Sequence, residues 1–153
     1  MTHVFVDADA CPVKKEIARV AERYGLQVTL VAGMRMSTPS GSHVRLEIVD
    51  VGMDAADNWI VDQVKTDDVV ITGDIPLAAR CLEKGARVVG HSGKSFTPDN
   101  IGTLLATRNL LSRLREFGEI TGGPPPFSPR DRSRFLQSLD LVINEIRRGS
   151  KGS

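Results

Sequence analysis

Residues 4–12 read Val-Phe-Val-Asp-Ala-Asp-Ala-Cys-Pro, a short apolar run that ends in two carboxylates and a proline. An apolar run bounded by a turn signal predicts a buried β-strand, and Pro12 is suited to the first turn of a following helix. Ligands bind at the carboxyl ends of the strands in α/β proteins. Asp7 and Asp9 are therefore predicted to face a site.

The same arrangement recurs later in the chain. Val69 to Thr72 predicts a second buried strand, which stops at Gly73-Asp74, and Pro76 opens the next helix. Asp67 and Asp68 precede this strand, at the end away from the site, and are predicted to be solvated. Further strands are predicted at residues 27–31, 44–51 and 87–89, and a helix is predicted at 12–24. Strands and helices in alternation favour an α/β fold.

A helix is predicted from Met53 to Val64, and Asp57 falls in the middle of its apolar face, with Asp54 at the edge of that face. An unpaired carboxylate on the core side of a helix costs several kcal/mol, so it needs a cation or hydrogen bonds. Local capping or ion pairing near the helix N-terminus is one explanation. We favour the other, that Asp57 points into a cleft shared with the acids that follow the strands.

Length and composition limit the size of the core and the number of domains. With 153 residues, 41% of them hydrophobic and 25% charged, the chain can form one ordinary core. We expect an α/β domain over residues 1–120 and a Gly/Pro-rich loop with a C-terminal helix, 121–153, packed on it. The absence of a signal peptide and of a long apolar run predicts a cytoplasmic protein with no membrane partner. Cys11 and Cys81 are predicted to be reduced thiols.

The C-terminal part of the chain is basic and contains two predicted helices. From Lys94 onward there are ten Lys and Arg against six Asp and Glu, whereas the first 93 residues have ten against thirteen. Such an asymmetry suits an acidic metal site beside a surface that holds phosphates. Residues 91–95 are predicted to form a loop, and one helix is predicted from Thr97-Pro98 to Phe117. The second begins at Ser128, a predicted N-cap, and has one apolar face: Phe135, Leu139, Val142, Ile143 and Ile146.

Two enzyme motifs are approximated without being matched. Residues 90–95, Gly-His-Ser-Gly-Lys-Ser, are similar to a phosphate-binding loop, but Val88 stands where that motif needs a glycine. Asp7-x-Asp9 at a strand end resembles the haloacid dehalogenase-like phosphatases, in which the first acid attacks phosphorus. Cys11 replaces the usual Thr or Val of that motif. A phosphatase with Asp7 as nucleophile is therefore a distant alternative.

Four stretches together carry a closer resemblance: Val-Asp-Ala-Asp-Ala-Cys-Pro at 6–12, Ala-Asp-Asn at 56–58, Ile-Thr-Gly-Asp-Ile-Pro-Leu-Ala at 71–78, and Thr-Gly-Gly-Pro at 121–124 followed by Arg-Asp-Arg at 130–132. They resemble the YaiI/YqxD family of uncharacterised bacterial proteins over nearly the whole chain. That family is grouped with the PIN-like nucleases. The resemblance thus implies a three-layer sandwich, with a mostly parallel central sheet flanked by helices and acids around Mg²⁺ or Mn²⁺.

Carried over by position, the resemblance implies that Asp7, Asp57 and Asp74 are catalytic residues and metal ligands. Asp9 and Asp54 are implied as supporting ligands. Many PIN-like nucleases have a fourth acid beyond the third strand-end acid, but residues 87–96 supply none here. The complement for two metal ions is therefore incomplete unless Asp9 or Asp54 substitutes.

These observations predict a metal-dependent phosphodiesterase that acts on nucleic acid, RNA rather than DNA. Several converging carboxylates would hold Mg²⁺ or Mn²⁺, which activates water and neutralises charge on the scissile phosphate. Basic residues beside the site loops or the family motifs are predicted to bind the substrate's phosphates: Lys14, Arg35, Arg130 and Arg132. The alternative is a non-catalytic nucleic-acid or nucleotide binding module in which the acidic pocket is a metal-stabilised structural site.

Overall fold

The computed structural model describes residues 2–50, 52, 54–119 and 126–151, of which the last two are described in backbone only. The described residues form six strands and five helices. In chain order these are β1 (His3–Asp7), α1 (Lys14–Tyr24), β2 (Gln27–Ala32), β3 (Val44–Ile48), α2 (Ala55–Gln63), β4 (Val69–Ile71), α3 (Ile75–Glu83), β5 (Arg87–Val89), β6 (Ser95–Phe96), α4 (Ile101–Glu116) and α5 (Pro129–Lys151).

The strands form one sheet in the order β3-β2-β1-β4-β5-β6, parallel except for the antiparallel pair β5–β6. The chain builds outward from β1 to β3 and then returns to place β4 on the other side of β1. Val6 pairs with Ile71 across that junction. An order that reverses between two adjacent parallel strands opens a crevice at their carboxyl ends. The predicted α/β fold with a mostly parallel sheet is confirmed.

Two apolar layers cover the sheet, as predicted for a three-layer sandwich. Side chains alternate along β1 because successive residues of a strand point to opposite faces. Val4 and Val6 face the layer that contains α1 and α5, and Phe5 faces the layer that contains α2 and α3. The predicted apolar face of α5 is buried there, with Phe135 fully inaccessible. None of the described helices has the length and hydropathy needed to cross a bilayer.

Helix starts follow local hydrogen bonds more closely than the position of proline. The prediction that Pro12 opens the first helix is wrong, because the backbone N–H groups of Ala10 and Cys11 turn back to the carbonyl of Ala8 and α1 begins only at Lys14. Pro76, by contrast, lies in the first turn of α3 as predicted. Ser128 caps α5 as predicted: its hydroxyl accepts from the Asp131 N–H at 3.2 Å.

The region from residue 91 to 100 differs from the prediction. Ser95 and Phe96 pair antiparallel with Val89 and Val88, so a hairpin stands where a loop was predicted. Thr97 and Asn100 then exchange side-chain to backbone hydrogen bonds of 2.9 and 3.2 Å, which delay the start of α4 to Ile101. The predicted helix start at Met53 and the Gly/Pro motif at 121–124 lie outside the described residues.

The prediction that Asp68 is solvated is wrong. Only 6% of the residue is exposed, and its two carboxylate oxygens accept from the backbone N–H groups of His3 at 3.0 Å and Lys65 at 2.9 Å. Asp68 therefore fastens the first residue of β1 to the loop before β4. Asp67 is exposed, as predicted.

Replacing Asp68 by alanine should destabilise the fold, since it leaves two backbone donors without their acceptors. We expect the free energy of unfolding to fall by about 2 kcal/mol or more, measured by urea denaturation. Asp67→Asn is the matched control and should change it by less than about 0.5 kcal/mol, because Asn also tolerates the positive φ of 68° at that position. Equal stability of Asp68→Ala and the wild type would contradict this assignment.

Candidate functional site at the strand ends

Thr72 connects two of the predicted acids. Its hydroxyl donates to Asp7 Oδ2 at 2.9 Å and accepts from the backbone N–H of Asp74 at 3.0 Å. The connection is possible because Val6 pairs with Ile71, so that the residues following these partners, Asp7 and Thr72, emerge side by side. Thr72 itself is fully buried. In the sequence Thr72 is distinguished only as the end of a strand, so this role was not predicted.

Asp74 is fixed as the N-cap of α3. Its Oδ1 atom accepts from the backbone N–H of Leu77 at 3.0 Å, and its backbone is extended, as an N-cap requires. A carboxylate at a helix N-terminus is stabilised by the helix dipole. The second oxygen, Oδ2, has no hydrogen-bond partner among the described residues and is thus available to a ligand.

Asp57 lies in the first turn of α2, half-buried, and its surroundings oppose ionisation. Its pKa is raised to about 6, first by burial and then by the negative charges of Asp74, Asp7 and Asp54, while the nearby Arg80 lowers it. The pKa of a carboxylate responds mainly to charges within several ångströms. The structure therefore brings Asp57 into electrostatic reach of both strand-end acids, although they are 50 and 17 residues away from it in sequence.

Asp7 shares this environment. Burial raises its pKa, the hydrogen bond from Thr72 lowers it, and the charges of Asp74 and Asp9 raise it again. The two strand-end acids and Asp57 thus form one repelling group, here called the acidic cluster (Asp7, Asp57, Asp74). Without a compensating cation, one member of such a group tends to hold a proton.

Asp9 and Asp54 lie on the border of the acidic cluster, and both are exposed. Asp9 Oδ2 accepts from the backbone N–H of Gly33 at 3.0 Å, which ties the loop after β1 to the end of β2. Beside it is a cavity of about 270 Å³ whose lining includes Asp9, Asp50 and Ala56. Asp54 is the N-cap of α2 in a left-handed conformation, and its side chain makes no capping hydrogen bond.

The acidic cluster has the type of ligand that a divalent cation prefers, but its side chains are not positioned to coordinate one together. Carboxylate oxygens are the ligands that Mg²⁺ and Mn²⁺ prefer, and the mutual repulsion of the three acids would be relieved by positive charge. In residues 2–50, 52, 54–119 and 126–151, however, no three His, Cys, Asp or Glu side chains are arranged to hold one metal ion. Asp7, Asp9 and Asp74 each have an oxygen engaged by a protein donor.

A histidine from the segment predicted to be a loop lies beside the cluster. His91 follows β5, and its Nδ1 atom is 3.7 Å from the point where a Cβ on Gly73 would lie. Its buried Nε2 atom has no hydrogen-bond partner in the described residues. Burial, and then the charge of Lys14, lower its pKa, which keeps the ring neutral. His91 lies in the segment, residues 87–96, in which many PIN-like nucleases would be expected to have a fourth acid.

Two of the four predicted phosphate-binding residues have partners within the protein, and two are exposed without one in the described ranges. Lys14 Nζ donates to the carbonyl of Cys11 at 2.9 Å and lies near His91. Arg132 is paired with Glu16, Nε to Oε1 at 3.3 Å, and covers the ring of Phe127. Arg35 and Arg130 are exposed, and neither has a hydrogen bond or ion pair within the described ranges.

Both cysteines are free and buried, in agreement with the prediction of reduced thiols. Burial raises the pKa of Cys11 to about 11 and that of Cys81 to about 12. Thiols with such pKa values are protonated at neutral pH and therefore poor nucleophiles. Protonated thiols can still pack in a core, and Cys11 belongs to the core that α1 and α5 share.

The fold and the cluster define an α/β protein with an acidic group at the point where its strand order reverses. Residues 5–145 match the model of a family described as "Uncharacterized BCR, YaiI/YqxD family", and the chain belongs to that family. No solved structure matches the chain.

Its relatives include proteins named UPF0178 from several bacteria. The one from Rhodopseudomonas palustris strain TIE-1 is 53% identical over 148 residues, which are 97% of this chain and 94% of the relative. The one from Rhodospirillum centenum is 53% identical and covers 97% of this chain and 99% of the relative. The one from Parvibaculum lavamentivorans is also 53% identical, covering 97% of each.

Asp57→Asn should stabilise the metal-free protein at neutral pH. The raised pKa means that the folded chain binds this proton more tightly than the unfolded chain does. That contribution is complete below the unfolded pKa of about 3.8 and is lost as pH rises through about 6. At pH 7.5 with EDTA we expect a gain of about 1 kcal/mol, kept small by solvent screening of a half-exposed group.

The gain should shrink as the pH is lowered to 4, where wild-type Asp57 is largely protonated. Urea denaturation at both pH values measures it. Asp62→Asn, at an exposed position of the same helix, is the control and should have little effect at either pH. A destabilised Asp57→Asn at pH 7.5 would show that this carboxylate has a favourable partner instead of repelling neighbours.

Proposed function

We propose that this protein is a Mg²⁺- or Mn²⁺-dependent phosphodiesterase of the PIN-like type that cleaves RNA in the cytoplasm. The observation that carries the proposal is the acidic cluster itself. Asp7 and Asp74 come from adjacent parallel strands, Thr72 hydrogen-bonds to both, and Asp57 approaches from a helix. Acids that repel one another at a ligand-binding edge are costly for the fold, which indicates a functional reason for keeping them.

The chain's own residues can do part of this chemistry by position. Asp74, held by the α3 N-terminus, presents one free oxygen, and Thr72 fixes the orientation of Asp7. Asp57 lacks a protein hydrogen bond in the described residues and can turn toward a ligand. A bound Mg²⁺ or Mn²⁺ would activate water and offset charge on the phosphate. Asp7, Asp57 and Asp74 are the residues that would hold it, with Asp9 and Asp54 in support.

The basic residues favour a polyanionic substrate. The charge of Lys14 acts on His91, which lies beside the cluster, and Arg35 and Arg130 lie on exposed segments without a carboxylate partner among the described residues. Arg132 would have to leave Glu16 to contact a phosphate. Cations near a carboxylate site allow a nucleic-acid backbone to approach charges that would otherwise repel it.

Two observations argue against the full ligand set of a two-metal nuclease and so favour the second candidate, a non-catalytic nucleic-acid or nucleotide binding module stabilised by metal. The described side chains do not form a group of three ligands around one point, and His91 stands in the segment where a fourth acid was expected. A site with one weakly held ion could stabilise the fold without turning over a substrate.

Mn²⁺ titration followed by melting temperature, together with cleavage of short RNA and DNA, tests the proposal. We expect millimolar Mn²⁺ to raise the melting temperature of the wild type and to support RNA cleavage. Asp7→Asn and Asp74→Asn should abolish the stabilisation by Mn²⁺ and lower turnover at least about 100-fold. Asn is an N-cap as good as Asp, so Asp74→Asn leaves α3 intact.

Asp62→Asn is the control and should behave as the wild type in both assays. Stabilisation by Mn²⁺ that depends on Asp7 and Asp74, without cleavage of either nucleic acid, would favour the binding module instead. Hydrolysis of a phosphomonoester that Asp7→Asn abolishes, with RNA left intact, would favour the phosphatase. No stabilisation and no turnover would contradict a metal site altogether.

A further inference from the structure

A polar pocket lies between the β5–β6 hairpin and the first turns of α5, and none of the three acids of the acidic cluster lines it. Its volume is about 330 Å³, and it is lined by Ser92, Gly93, Lys94, Arg134, Gln137 and Ser138. Two of these residues are cationic and three have neutral side chains that can donate hydrogen bonds. Among the described residues, no carboxylate lines it. The lining is therefore matched to an anion rather than to a cation or an apolar group.

The two cations of this pocket have no carboxylate partner among the described residues, whereas arginines near the pocket do. Arg132 on α5 pairs with Glu16, and Arg87 on β5 pairs with Glu145 at 2.7 Å. Lys94 and Arg134 form no ion pair in the part of the chain that the structure describes, and both are exposed. Uncompensated cations in a concavity raise the local concentration of anions.

The pocket has a fixed shape because the hairpin is packed tightly on α5. Gly93 has a φ of +94°, and a Cβ there would lie 2.6 Å from the carbonyl oxygen of Arg134. The Ser138 hydroxyl donates to the carbonyl of Gly93 at 2.5 Å. A glycine is thus required for the close approach that sets Lys94 beside Arg134. Residues 90–95, Gly-His-Ser-Gly-Lys-Ser, do not match the phosphate-binding loop motif, but they form the turn of this hairpin.

The pocket lies at the same edge of the sheet as the acidic cluster. The hairpin follows the carboxyl end of β5, which pairs with β4, and β4 leads to Asp74. His91, the residue before Ser92, lies against Gly73. A chain of phosphates that reaches the cluster can therefore extend along this edge toward the pocket.

We infer that the pocket formed by Lys94 and Arg134 binds a backbone phosphate of single-stranded RNA, next to the phosphate that reaches the acidic cluster. This inference rests on the proposed function, since it assigns a second binding position to the same substrate. The ligand chemistry is a phosphate group, which could also come from free inorganic phosphate. The experiment separates these two sources.

Binding of a fluorescently labelled single-stranded RNA of about 12 nucleotides is measured by anisotropy, in EDTA so that no turnover occurs, over a range of KCl concentrations. We expect Lys94→Gln with Arg134→Gln to weaken binding about tenfold at 0.1 M KCl. The slope of log affinity against log salt should become shallower by about 0.7 for each phosphate that the variant no longer neutralises. Both side chains are exposed, so the fold should be unchanged, which the urea midpoint verifies.

Lys84→Gln is the matched control, an exposed lysine that precedes β5 and so lies at the opposite edge of the sheet. It should leave affinity and slope as in the wild type. Equal affinity and slope in the double variant and the wild type would overturn the inference. So would an increase in melting temperature with inorganic phosphate that the double variant loses while RNA affinity is unchanged, since the pocket would then be a free-phosphate site.

These outcomes are independent of cleavage. Loss of RNA binding in the double variant supports the pocket even if the wild type has no nuclease activity. Cleavage by the wild type, with RNA binding unchanged in the double variant, supports the proposed function and rejects the pocket. Lys94→Glu should weaken binding more than Lys94→Gln does, because it adds repulsion; the reverse order would also count against the pocket.

Discussion

The parallel pairing of β1 with β4 is the constraint on which the rest of the molecule depends. Val4 pairs with Val69 and Val6 with Ile71, which brings together the ends of strands more than 60 residues apart. This register sets Asp7 beside Thr72 and opens the sheet edge where its strand order reverses. A shift by one residue would turn Asp7 into one of the apolar layers. The acidic cluster thus follows from the register.

The cluster opposes the stability that the rest of the fold provides. Asp57 and Asp7 both have raised pKa values, mainly through burial and through the charges of neighbouring acids. The opposing contribution comes from the two cores, in which α5 covers one face of the sheet with Phe135 and Leu139. Each such buried side chain contributes about 1.5–3 kcal/mol. A few carboxylates in unfavourable positions can therefore be tolerated, as is common at functional sites.

The sequence predicted those features that depend on near neighbours in the chain. Apolar runs, the Ser128 cap and the apolar face of α5 were all read from local spacing, and the structure has them. Thr72 and His91 were missed because their importance depends on which strands pair, and strand order is not a local property. The same reason explains why the burial of Asp68 was not predicted, since its hydrogen-bond partner His3 lies 65 residues away. The roles of Asp7, Asp57 and Asp74 as metal ligands stay a prediction.

The central claim is that the carboxylates of the acidic cluster hold a common divalent cation. A crystal structure of the full chain soaked with Mn²⁺ tests it directly, through the anomalous scattering of the metal. We expect an anomalous peak about 2 Å from a carboxylate oxygen of Asp57 and of at least one of Asp7 and Asp74. Saturating Mn²⁺ with no peak between these residues, or a peak only elsewhere on the surface, would contradict it.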